Sequence, residues 1–163
     1  MKKILMAFVA VVSFSVLFIG NTEKVMANEI KSNPPIDSRI RFKGYDSNSG
    51  QSIAYMNIQS VNNWDYVMSD TLFSSAFYIE SAGSGKYRIR SEKYNHEGYN
   101  YVVISNIGYL YLAQKEYAES FSFYTQPSGR YSIVSGGNEP LGFYNGYITT
   151  GGTRQANWDI IPS

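Results

Sequence analysis

The sequence predicts an all-β domain, and three observations carry the prediction. Gly85-Lys-Tyr87-Arg-Ile89-Arg-Ser91 returns as Gly129-Arg-Tyr131-Ser-Ile133-Val-Ser135, with four of seven positions matching. Gly108-Tyr109-Leu110 returns as Gly146-Tyr147-Ile148, and a worn third copy begins near Ile40. From Arg39 onward no stretch of ten or more residues sets apolar side chains at helical spacing, and short alternating runs are broken by Gly, Asn, Ser or Pro. A repeat of about forty residues made of strands is a scaffold pattern, most often one for binding.

The elements follow in chain order. Lys2 and Lys3 precede an apolar run from Ile4 to Gly20, and Val25-Met26-Ala27 sets small residues where a signal peptidase reads. Residues 1–27 are therefore expected to be a cleaved signal peptide, and the product to be secreted and extracellular. No cysteine follows the apolar run, so lipid attachment there is excluded, and the mature chain is not expected to insert into a membrane. Residues 28–38, with Pro34-Pro35, read as an extended leader. Residues 39–163 form one domain of ordinary size. With no cysteine in the chain, that domain relies on an apolar core and a complete backbone hydrogen-bond network.

Four short strands are expected in each copy. The opening strands are Arg39 to Phe42, Lys86 to Ser91 and Arg130 to Ser135; the second are Ser52 to Asn57, Asn100 to Ser105 and Pro140 to Tyr144. The third are Trp64 to Met68, Tyr109 to Gln114 and Tyr147 to Thr150; the fourth are Ala76 to Glu80, Phe121 to Thr125 and Asn157 to Ile161. Phe77, Phe123 and Trp158 hold the same place in the fourth strands, each with a β-former two residues on, so alternation turns each such pair to one face. Ala113 to Ser120 is the one short helical candidate.

Twelve strands in three four-strand units is the plan of a β-trefoil, six strands closed into a barrel and capped by three hairpins. The ending Gln155-Ala-Asn-Trp158-Asp-Ile160 resembles the Gln-x-Trp-x-Ile signature of ricin B-chain-like lectins, with one extra residue between Gln and Trp. The other copies keep only the aromatic, in Phe77-Tyr78-Ile79 and Phe123-Tyr124-Thr125. The chain is also similar in plan to the trefoil haemagglutinin components of clostridial toxin complexes and to trefoil modules of bacillus insecticidal toxins.

Composition narrows the chemistry. Taking Lys2, Lys3, Lys24 and Glu23 from the 14 basic and 13 acidic residues leaves 11 and 12, a net of −1 without pull toward nucleic acid. Thiol catalysis is impossible, and the single histidine, His96, stands in a polar loop with no Gly-x-Ser-x-Gly elbow anywhere. Asp46-Ser-Asn48-Ser-Gly50 opens like a calcium loop, but its glycine falls early and Asn57 replaces the required glutamate. No enzyme, metal or cofactor is expected.

The resemblance to lectins implies a small sugar pocket on each copy: an aromatic stacked on the sugar, with an acid and an amide gripping hydroxyls. It would assemble Asp46 and Asn48 with Trp64 and Asp70; Glu92, His96 and Glu97 with Tyr109 and Gln114; and Asn138 and Glu139 with Tyr147, Arg154 and Gln155. Trp64, between Asn63 and Asp65, is the strongest binding candidate. The expected function is a secreted, lectin-like carbohydrate-binding module, an accessory or targeting component of a bacterial toxin system. A secreted trefoil binding a protein partner, and a surface or matrix protein displaying an apolar patch around Trp64 and Leu72-Phe73, fit the same composition. The partner is then a glycan or a protein on a cell surface.

Overall fold

The computed structural model describes residues 30–152 and 154–163; the signal peptide expected over residues 1–27 lies outside them. Each of the twelve expected strands forms, some longer and some shorter than expected, and a two-residue strand β1 (Ile30–Lys31) precedes them. All pairings are antiparallel.

Six strands pair in a closed ring: β2 (Ile40–Asp46), β5 (Phe77–Gly83), β6 (Lys86–Ser91), β9 (Ser122–Thr125), β10 (Tyr131–Val134) and β13 (Arg154–Pro162). Ile40 pairs with Phe77, Tyr87 with Phe121 and Tyr131 with Trp158, while β13 returns to β2 over seven residue pairs. The remaining strands form three hairpins, β3 (Ser52–Val61) with β4 (Trp64–Asp70), β7 (Tyr101–Ile104) with β8 (Leu110–Ala113), and β11 (Leu141–Tyr144) with β12 (Tyr147–Thr150). Each hairpin touches the next, through Tyr66 and Tyr111, Tyr109 and Thr149, and Tyr147 and Met68. The helical candidate is a single 3-10 turn, Lys115–Tyr117.

Alternation along the ring strands sends one side chain in two to the interior. Phe77, Phe123 and Trp158, aligned by the repeat, are all fully buried, with Ile40, Phe42, Ile79, Ile89, Phe121 and Ile133 around them. Burying each such side chain stabilises the fold by roughly 1.5–3 kcal/mol. Of the β-formers paired with those aromatics Ile79 is buried, whereas Thr125 and Ile160 are half-buried. Gly44 is set by this core: a Cβ there would stand 2.5 Å from the Phe143 ring and 2.9 Å from that of Trp158.

The segment ahead of Arg39 is tied to the ring. Strands β6 and β9 meet through the Tyr87–Phe121 bridge, and β1 lies along β9 beside that seam, Lys31 opposite Tyr124. The Ser32 N–H donates to the Phe123 carbonyl, the Tyr87 hydroxyl to the Asn33 side chain at 2.6 Å, and the Asp37 N–H to the Ile79 carbonyl.

Candidate functional site

The site begins at a two-residue turn. Asn62 and Asn63 have φ of 50° and 66°, the left-handed pair that a tight hairpin turn requires and that asparagine tolerates. The turn starts β4 at Trp64, which keeps 49% of its surface exposed and stands edge-on to Tyr111, centroids 5.9 Å apart at 87°. The indole is thereby braced through its contact with Tyr111 while much of its surface stays open.

The loop between β6 and β7 is pinned against this hairpin. Lys93 Nζ donates to the Ile58 carbonyl at 2.8 Å, and His96 Nε2 lies 3.0 Å from the Asn63 carbonyl oxygen, which places a proton on that nitrogen. Between them Asp65, only 3% exposed, accepts the Asn95 backbone N–H at 2.7 Å and the Asn95 amide as well. Replacing Asp65 with alanine leaves those donors unmet and is expected to cost about 1–3 kcal/mol. It should also loosen the wall formed by His96 and Tyr99, so ligand affinity falls together with the melting temperature. A variant that melts earlier but binds as before would separate the loop from the site.

Beside Trp64 lies a hollow of about 510 Å³ walled by Tyr99, Tyr111 and Tyr117, with Gln114 at its polar edge and Val103 and Ala113 among its apolar lining. A smaller one, about 290 Å³, is bounded by Asn63, Trp64, His96 and Tyr99. Trp64 and Tyr99 belong to both. Such a surface offers apolar ring faces with a few directional groups, which suits a ring or cation with an apolar face and polar substituents.

The first set of residues expected from the lectin pattern does not assemble, and several residues of the other two are engaged elsewhere. Asp46 accepts the Asn48 and Ser49 N–H groups and an Arg154 hydrogen bond at 2.8 Å, which fastens the β2–β3 turn. That turn and Trp64 occupy opposite ends of the extended β3, roughly 30 Å apart along the strand. Asp70 closes the other end of β4, accepting Leu72 and Phe73 N–H groups and the amides of Asn57 and Gln59. Glu92 is held in a forked ion pair by Arg39, and Asn138 is an exposed turn residue with φ of 62°. Gln155 is in β13, paired with Gly142.

His96 and Gln114 do meet Trp64, so the site crosses from the first copy to the second. Tyr109 and Tyr147 instead belong to a chain of rings, Tyr109–Tyr147–Tyr66–Tyr111–Trp64, with centroids 4.9, 5.5, 6.3 and 5.9 Å apart. Three of its four contacts are edge-on, a packing geometry that offers no shared flat face. Sequence reasoning missed Asp65, Asn95, Tyr99, Tyr111 and Tyr117. Tyr111 was within reach, since it shares a strand face with Tyr109 two residues before it. Leu72 and Phe73 are 80% and 66% exposed, but β4 separates them from Trp64 by roughly 20 Å, so they do not form one patch with it.

The acids that brace the turns carry a pH dependence. The Ser49 N–H and then Arg154 hold the Asp46 carboxyl well below the usual carboxylate range; the Phe73 and Leu72 N–H groups lower Asp70; Arg39 lowers Glu92. At Glu80 burial pushes upward, and hydrogen bonds from Arg90 and Tyr101 with the charge of Lys115 outweigh it. A folded pKa below the unfolded one means stability present above the unfolded value and lost as pH falls through the folded one. The urea midpoint should therefore drop below about pH 4, where unfolded carboxylates titrate. A drop already complete by about pH 5 would assign the acid sensitivity to other groups.

The chain is similar to a lysenin pore, at a TM-score of 0.62 and 14% identity, over 82% of this chain and 49% of that one. It is similar also to a complex of lysenin with phosphocholine, at a TM-score of 0.61 and 13% identity, over 83% and 47%. The likeness is one of all-β fold, and this chain spans about half the length of either lysenin chain. No protein-family model and no curated protein matches the sequence.

Proposed function

We propose that this chain is a secreted, lectin-like binding module on a β-trefoil, with its ligand in the Trp64 hollow and no chemistry of its own. The closed ring of six strands and the three mutually touching hairpins support the trefoil. One observation carries the binding reading: a half-exposed tryptophan held edge-on beside a hollow walled by three tyrosines and edged by an amide. Apolar C–H faces of a sugar stack on such rings while Gln114 and tyrosine hydroxyls meet its hydroxyl groups. The likeness to a lysenin pore, half of whose length this chain spans, supports a role as targeting component of a toxin system.

A second ligand is favoured by one feature. The hollow is lined by four aromatic side chains and no carboxylate, and a trimethylammonium group is drawn to ring faces alone. Phosphocholine, bound by lysenin in one similar structure, is such a ligand. Of the two tryptophans Trp158 is fully buried, so a change in exposed-tryptophan fluorescence reports on Trp64. A glycan array identifies the sugar, and fluorescence titration with that sugar and with phosphocholine ranks the two. Silence on the array and toward phosphocholine would refute the binding reading.

A further inference from the structure

We propose that His96 is a pH switch on the Trp64 site. It turns the smaller hollow from a hydrogen-bond acceptor at neutral pH into a cationic donor in mild acid, where the site takes a ligand carrying an anionic group. The proposal rests on the Trp64 reading and adds to it a ligand class and a means of regulation.

The hydrogen bond that fixes the ring also fixes its protons. His96 bounds the hollow of about 290 Å³ with Asn63, Trp64 and Tyr99, its ring 6.2 Å from that of Tyr99 at 72°. Nε2 lies 3.0 Å from the Asn63 carbonyl oxygen. A carbonyl only accepts, so Nε2 keeps its proton whatever the charge of the ring. Nδ1 has no partner among the described residues and is the nitrogen left for a ligand. In the neutral ring it holds a lone pair and accepts; in the imidazolium it carries an N–H and donates. The brace to Asn63 therefore survives protonation, and only the free nitrogen reverses its role.

No other group near the ring changes charge with it. On the hairpin, Asp65 is 3% exposed and is taken up by Asn95. On the loop itself, Glu92 pairs with Arg39, Lys93 reaches the Ile58 carbonyl, and Glu97 is exposed, where salt screens it. On the 3-10 turn, Lys115 is turned to Glu80 and Glu116 is exposed. None of these lines either hollow. Tyr94 on the loop and Tyr99, Tyr111 and Tyr117 at the hollows belong to a type that titrates at about pH 10. Histidine changes charge between about pH 5 and 8, and His96 is the single histidine of the chain.

The two hollows share Trp64 and Tyr99, so a ring or ammonium group over Trp64 sets a substituent against His96. A sulfate, phosphate or carboxylate there gains a charge-assisted hydrogen bond only from the protonated ring. A hydroxyl is served by the neutral one. Acidification should thus move the preference of the site from uncharged to anionic substituents.

The probes are two pairs whose members differ by a sulfate ester of constant charge: galactose with galactose 6-sulfate, and choline with choline O-sulfate. In the pair that binds, calorimetry should show the sulfated member gaining on its parent about fivefold or more from about pH 8 to pH 5. In His96→Gln, whose amide can still donate to Asn63 but never ionises, the ratio should stay constant. The 15N shifts of the one imidazole should place its proton on Nε2 at about pH 8. The sulfated probe should also carry the titration of that imidazole to higher pH, as linkage requires. A proton on Nδ1 at that pH, a flat ratio in the unaltered protein, or the same slope in His96→Gln would each overturn the switch. If probe binding is lost in Trp64→Ala, those results leave the Trp64 reading standing. A pH-dependent gain untouched by Trp64→Ala would overturn both. No binding by any probe would overturn the switch, and the glycan array then decides the Trp64 reading by itself.

Discussion

Trp64→Ala should lower affinity for the bound sugar or for phosphocholine by about tenfold or more, while the fold survives. A large aromatic at the centre of a binding surface commonly contributes about 2 kcal/mol or more when truncated. Its share in stability is smaller. Trp64 is half exposed, and its packing is the edge contact with Tyr111 and the cross-strand neighbour Val61. Such a pair is worth about 1 kcal/mol at most, a shift of a few degrees in melting temperature. Phe73→Ala is the matched control, a similarly exposed aromatic at the far end of β4. Isothermal titration of both variants decides the matter: an equal loss in the two, or none in Trp64→Ala, would remove the hollow from consideration.

Trp158→Ala should be the most destabilising single truncation in the chain. The side chain is fully buried, its ring 5.3 Å from that of Phe143 and close over Gly44. It also sits on β13, the strand that closes the ring against β2 on one side and β10 on the other. Emptying a buried tryptophan site costs about 3–5 kcal/mol, a large part of the 5–15 kcal/mol that holds a typical domain together. The indole Nε1 has no partner among the described residues, so Trp158→Phe should be much milder. It gives up volume but also relieves an unmet N–H, worth about 1–3 kcal/mol. Urea unfolding of the two variants separates them; equal losses would mean that the indole N–H is bonded in the native protein.

The all-β class is readable because alternation and turn residues recur along the whole chain. Phe77, Phe123 and Trp158 are all fully buried because the interior of the ring needs large apolar side chains. Strand boundaries were readable for a local reason, since residues such as Asn62-Asn63 and Asn145-Gly146 supply the positive φ that tight turns demand. Strand β1 was not readable. Two residues ahead of a Pro-Pro pair carry no periodicity, and their pairing depends on the seam beside β9.

The site was legible only in part, and the errors share one cause. The lectin pattern groups residues within a copy, whereas the hairpins touch between copies. Trp64 of the first copy therefore meets His96, Tyr99 and Gln114 of the second, while Asp46 and Asp70 are consumed by turns at the other ends of their strands. Asp65 directly follows Trp64 in the chain. Alternation turns it inward instead, where it fastens the loop that walls the site.

By itself, then, the sequence determined an all-β chain of short strands, with aromatics that fill its centre and a tryptophan at a tight turn. These are local matters of alternation and turn chemistry. Which loops lean on that tryptophan, only the tertiary structure decided. Contacts between copies depend on how the hairpins pack, and no spacing along the chain encodes that distance.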